Sequence, residues 1–124
     1  MSLSRREAIQ IVDKLTELTQ HNTLQWKEES PTRRMNDTTN RVDKVYLSHY
    51  MGRNIRVYEK YYKAYFEDDV NVFEWAEDVV IELIDNDGLI LSRFPSTSNQ
   101  LELLNAIKFQ NPQIRNFYTD IFGI

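Results

Sequence analysis

No cysteine occurs among the 124 residues, which rules out a disulfide framework and any thiolate metal site and fits a reducing compartment. Glycine and proline are scarce, three of each, and 41% of residues are hydrophobic and 12% aromatic, so the composition is that of a folded core and not of a disordered or linker-rich chain. No apolar run approaches the ~18 residues needed to span a bilayer. The opening Met1-Ser2-Leu3-Ser4-Arg5-Arg6-Glu7 leads into a pattern that is polar on one face, unlike the continuous apolar core of a signal peptide. The expectation is a cytoplasmic protein without membrane contact. Also missing are His-Glu-x-x-His, a glycine-rich phosphate loop and a Gly-x-Ser-x-Gly elbow. These absences remove the motif routes to hydrolases, nucleotide enzymes and zinc proteins. No catalytic residue, metal or cofactor is assigned, and the reading leans away from an enzyme. A net charge of −4 argues against non-specific attraction to nucleic acid, although a local basic patch can override the mean.

Two β-strands around an Asp-Asn-Asp-Gly turn are spelled by Val79-Val80-Ile81-Glu82-Leu83-Ile84-Asp85-Asn86-Asp87-Gly88-Leu89-Ile90-Leu91, and they set the fold class. Those acidic residues lack the calcium-loop spacing, with Phe94 where the glutamate should stand. Upstream, Ser4 and Glu7 form a capping box before Ile9, Val12, Leu15 and Leu18, which predicts an amphipathic helix over residues 4 to 21 closed by Asn22. Leu24 and Trp26 alternate with polar neighbours as a short strand would, and residues 30 to 40 read as a long loop.

Val45, Leu47 and His49 share one parity and are expected to point inward, before a turn at Gly52. Residues 53–66 change apolar parity midway, from Ile55 and Val57 to Ala64 and Phe66, which suggests a bulge. Pairing with residues 72–84 is expected to set Lys60 opposite Asp78, Arg56 opposite Glu82, Val57 opposite Ile81 and Ile55 opposite Leu83. Glu77 interrupts the apolar face of that last strand, so it should lie at a rim or be paired. After Pro95, Leu101, Leu104 and Ile107 mark a helix. Asn111-Pro112 then starts a separate one carrying Ile114, Phe117, Ile121 and Phe122. The fold class is α+β: one domain with an N-terminal helix, an antiparallel meander of about five strands, and two C-terminal helices covering one sheet face.

Strand 53–66 interleaves tyrosines with cations, the arrangement that holds single-stranded nucleic acid by stacking and phosphate contacts. Arg53, Arg56, Tyr58, Lys60, Tyr62 and Lys63 form the candidate binding surface, with Arg33, Arg34 and Arg41 in the long loop as possible additions. The ordinary explanation is strand propensity plus cross-strand pairing of the cations with Asp78 and Glu82, and it disfavours nucleic acid. Trp26, His49 and Trp75 are candidate pocket residues if sheet and helices enclose a small ligand. His21 near a helix end reads as a cap.

Leu24-Gln25-Trp26 after a first helix, the Gly52 turn, Glu82 to Gly88, Phe94-Pro95 and the 101–110 helix together resemble a pattern seen in small uncharacterised bacterial helix/antiparallel-sheet/helix domains. The resemblance implies a fold and no activity. The function expected is a non-catalytic protein-interaction or regulatory module with an unknown protein partner, compatible with a homo-oligomer. The alternatives are a small-ligand carrier and a single-strand binder.

Overall fold

The computed structural model describes residues 3–123, save for the side chains of residues 69 and 70. Ser4 caps the first helix, α1 (Arg5–Gln20): the Glu7 amide donates to Ser4 Oγ at 3.1 Å and the Ser4 amide to Glu7 Oε1 at 3.3 Å. The spacing of Ala8, Val12 and Leu15 then buries one stripe. Asn22 adopts φ 59°, the left-handed residue that ends the helix.

Six antiparallel strands follow: β1 (Lys27–Glu29), β2 (Asn40–Arg41), β3 (Val45–Tyr50), β4 (Arg53–Phe66), β5 (Asp69–Ile84) and β6 (Ile90–Arg93). Their order is β1-β3-β4-β5-β6, with β2 pairing β4 beyond the end of β3. Two helices, α2 (Gln100–Phe109) and α3 (Pro112–Phe122), complete the α+β fold. Among the described residues no helix is long and apolar enough to cross a membrane.

The β4–β5 register is the one expected, with Arg56↔Glu82, Val57↔Ile81 and Lys60↔Asp78. β3 and β4 are joined by Met51 (φ 52°) and Gly52 (φ 76°), a two-residue turn with both φ positive, whose twist matches that of the strands.

Several expectations need correction. The first strand lies at Lys27–Glu29, after Leu24 and Trp26, because Leu24 is buried beneath α1 and α2 and is not available to the ladder. The 30–40 loop holds a 3-10 turn at Arg33–Met35 and ends in β2. The register shift in β4 falls at Tyr65/Phe66, not midway. The parity change that suggested an earlier bulge has another cause: at its base the sheet is covered on both faces. On one face Ile55, Val57 and Ile81 pack under Ala8, Val12, Leu15, Leu103, Leu104 and Ile107. On the other, Val45, Tyr58 and Val80 pack with Val42 and Met35 of the loop.

Among the described residues α1 and α2 supply the buried cover of the helix-side face. α3 packs on the end of α2 through Phe109 and Tyr118, whose ring centroids are 5.6 Å apart, and it buries none of its residues. Leu101 is exposed, since the covered stripe of α2 is Gln100, Leu103, Leu104 and Ile107.

Candidate functional site

Strand parity divides β4 into two chemically different faces. Even-numbered Arg56, Tyr58, Lys60 and Tyr62 lie together, as alternation requires. Arg56 and Tyr58 are buried, however, and do not form an open stacking surface, because the 33–42 loop folds over them. Arg56 instead engages Glu82, which is fully buried: Arg56 Nη2 lies 2.8 Å and Nε 3.0 Å from Glu82 Oε1. The other carboxyl oxygen takes Arg93 of β6, with Nη2 at 2.7 Å and Nε at 3.1 Å. This contact with Glu82 holds the Arg93 guanidinium above its ordinary pKa. Burial, and then the Glu82 charge, push the Tyr58 phenol up.

Above this buried carboxylate lies a hollow of about 630 Å³ whose walls include Arg33, Arg34, Arg56, Lys60 and Arg93. Lys60 makes no ion pair with its register partner Asp78; its ammonium sits 5.9 Å from the centroid of the Tyr62 ring. The loop that brings Arg33 and Arg34 there is held by side chains in place of a regular ladder. The Asn36 amide group bonds the Val42 backbone in both directions, at 2.9 and 3.1 Å. Asp37 Oδ1 accepts from the amides of Thr39 and Asn40 at 2.8 and 2.7 Å, which holds its pKa below the usual carboxylate value.

The helix-side face carries the odd residues. Tyr61 donates its hydroxyl to Glu59 Oε1 at 2.8 Å, and this bond, aided by desolvation, pushes its pKa up to about 12. Glu77, the register partner of Tyr61, shares a hydrogen bond with Glu59, which raises its pKa, while Lys108 lies 3.8 Å from Glu59 Oε1. Glu77 thus sits on an exposed rim and is paired. A cleft of about 510 Å³ opens here, with Trp26, Tyr46, Tyr61, Lys108 and Ile114 in its walls.

Trp26, His49 and Trp75 do not converge. The Trp26 indole donates to Thr19 Oγ1 at 3.0 Å beside that cleft. His49 is exposed on the opposite face and bonds Asn54 Oδ1 at 2.8 Å, because Tyr46 and Tyr50, not Val45 and Leu47, turn toward the main core. Trp75 is exposed on the distal hairpin. Of the remaining candidates, Arg53 donates to the Met51 carbonyl at 3.2 Å and so secures the turn. Lys63 is odd-numbered and lies on the other face from Lys60, its ammonium 4.4 Å from the Phe73 centroid and 5.8 Å from that of Trp75.

Past Lys63 the two long strands continue as an arm. On its helix-side face Tyr65, Phe73 and Trp75 form an exposed aromatic row, with centroids 5.7 and 6.0 Å apart. The apolar face of α3 is exposed as well: Ile114, Phe117, Tyr118, Ile121 and Phe122 follow helical spacing. Arg93 and the aromatic row were not singled out from sequence. The signal for Arg93 was available in the turn, since pairing around Asp85–Gly88 brings it opposite Glu82.

Among the described residues no group of three or more His, Asp or Glu side chains is placed to hold a metal. Comparison with known proteins found no matching family model, no matching curated protein and no matching solved structure, so no role is carried onto any residue from elsewhere.

Proposed function

We propose that the chain is a non-catalytic protein-interaction module, that its docking surface is the apolar face of α3 together with the aromatic row of the arm, and that the occupant is a second copy of the same chain. The observation that carries this reading is that α3 buries none of its residues. An isolated helix of that length is marginal in water, and an amphipathic one is ordinarily held by covering its apolar face.

Further features favour a second copy. Covering both the apolar face of α3 and the aromatic row would bury on the order of 800 Å² per protomer, the size of a standard stable interface. Lys63 on the arm and Asp120 on the helix carry opposite charges beside the apolar rows. A two-fold pair in which each α3 lies on the other's arm satisfies both surfaces at once.

Sedimentation velocity tests this. The wild-type chain should sediment as a dimer at micromolar concentration, and the Phe117→Ser/Ile121→Ser variant as a folded monomer. Because the chain lacks cysteine, a mixture of Trp75→Cys and Ile121→Cys chains should form a disulfide between unlike protomers. A wild-type monomer over the whole micromolar range would overturn the reading, as would a dimer indifferent to the α3 substitutions. A complex formed only with an unrelated protein would reassign the occupant.

A further inference from the structure

We infer that the hollow over Glu82 is a binding site for a small organic phosphomonoester, on the face of the sheet opposite to the proposed docking surface. Five cationic side chains border it, Arg33, Arg34, Arg56, Lys60 and Arg93, against the carboxylates of Asp87 at the edge and Glu82 at the base, an excess of three positive charges in a chain whose net charge is −4. Among the described residues Arg33, Arg34 and Lys60 take part in no salt bridge, nor do Arg5, Arg6, Arg53, Lys63 and Arg115, but the first three border the same hollow. Unpaired cations converging on one concave site repel one another, and a bound anion relieves that repulsion.

The arrangement is also built before any ligand arrives. Glu82 is fully buried and divides its two oxygens between Arg56 and Arg93, which fixes the planes of both guanidiniums. The Asn36 and Asp37 bonds hold the loop that carries Arg33 and Arg34. A preformed site loses little conformational entropy on binding, and guanidiniums suit phosphate oxygens because they can engage two at once.

The charge and shape select the ligand class. A phosphomonoester carries between one and two negative charges near neutral pH and offsets much of the positive excess. Met35, Leu89 and Ile90 supply apolar wall for the body of the ligand, and about 630 Å³ is the volume of a small-molecule pocket. A single strand of nucleic acid needs cations and aromatic faces in a continuous track. Here Arg53 and Lys63 lie on the other face of β4, and Tyr58 is buried, so the track is broken.

The probe is phenyl phosphate, titrated into the ¹⁵N-labelled protein, with phenol, inorganic phosphate and a short oligothymidylate as comparisons. Saturable shifts are expected at the amides of residues 33–35 and 88–90 and at the Arg93 side chain, with phenol silent and inorganic phosphate weaker. The exposed pair Arg33→Gln/Arg34→Gln should weaken phenyl phosphate roughly tenfold or more while leaving the melting temperature unchanged. Absence of saturable shifts at millimolar probe would overturn the inference, as would affinity unaffected by that double substitution. Tighter binding of the oligothymidylate, with shifts running along Lys60 and Tyr62, would overturn it in favour of nucleic acid.

Discussion

Glu82 Oε1 lies 2.8 Å from Arg56 Nη2 across the β4–β5 ladder, with the Glu82 side chain fully buried and that of Arg56 only 9% exposed. Two charges taken out of water repay their desolvation only while each has the other, so removing one is far worse than removing both. Glu82→Leu should cost about 3–5 kcal/mol in chemical denaturation, most of it from the stranded Arg56 charge. Arg93, whose side chain is more than half exposed, can turn to water. The double variant Glu82→Leu/Arg56→Met should recover most of the loss. If the double variant were as unstable as the single one, the pair would be holding the sheet by something other than mutual compensation.

Glu77 has its pKa raised by its hydrogen bond with Glu59. The folded chain therefore holds that proton more tightly than the unfolded chain does. The contribution is fully present below the unfolded carboxylate pKa and is lost as pH rises through the higher folded value. Glu77→Gln should raise the melting temperature slightly at neutral pH and leave it unchanged once the pH is below the unfolded carboxylate pKa. Melting curves across that range check the sign; a larger gain in acid than at neutrality would refute it.

Gln110 ties three segments together. Its Nε2 donates to the carbonyls of Thr19 at 3.0 Å and Leu24 at 2.8 Å, and its Oε1 accepts from the Trp26 amide at 3.2 Å. Gln110→Ala should lower stability by about 1–3 kcal/mol, the cost of leaving part-buried backbone groups unsatisfied. Because Trp26 lies next to this junction, hydrogen exchange at its amide should quicken more than exchange in β5.

Gly52 sits at φ 76° in the two-residue turn, with open space where a side chain would go. Gly52→Ala should cost about 1–2 kcal/mol from backbone strain alone. Gly52→Asn should cost less, since asparagine tolerates that region. Equal losses in urea denaturation would point to a packing effect instead.

How much of this was legible in the sequence depends on the range of the signal. Ser4 with Glu7, Asn111 with Pro112, and the turn at Gly52 act within a few residues, and each stands where the local chemistry puts it, although the turn also takes Met51, which reads from sequence as the strand's last residue. The β4–β5 register was readable too, because Arg56 with Glu82 and Val57 with Ile81 agree on both faces. The cover over Tyr58 was not, since Val42 and Met35 reach it from a loop without period. For the same reason strand parity identified which residues share a face but not which face is open. The separation of Trp26, His49 and Trp75 follows from which layer covers each strand, and no local pattern encodes that.

The seam between the first helix and the second has a kinetic consequence. Asn99 donates to the Ile9 carbonyl at 2.9 Å and to Asp13 Oδ1 at 2.8 Å, contacts that span 90 and 86 positions of the chain. During synthesis the stripe of Ala8, Val12 and Leu15 must wait for Leu103, Leu104 and Ile107 before it is sealed from water. Closing so long a loop is slow, and the waiting intermediate exposes both a greasy helix and an open sheet face. A nascent chain of this protein therefore keeps that apolar stripe open to water until α2 has left the ribosome.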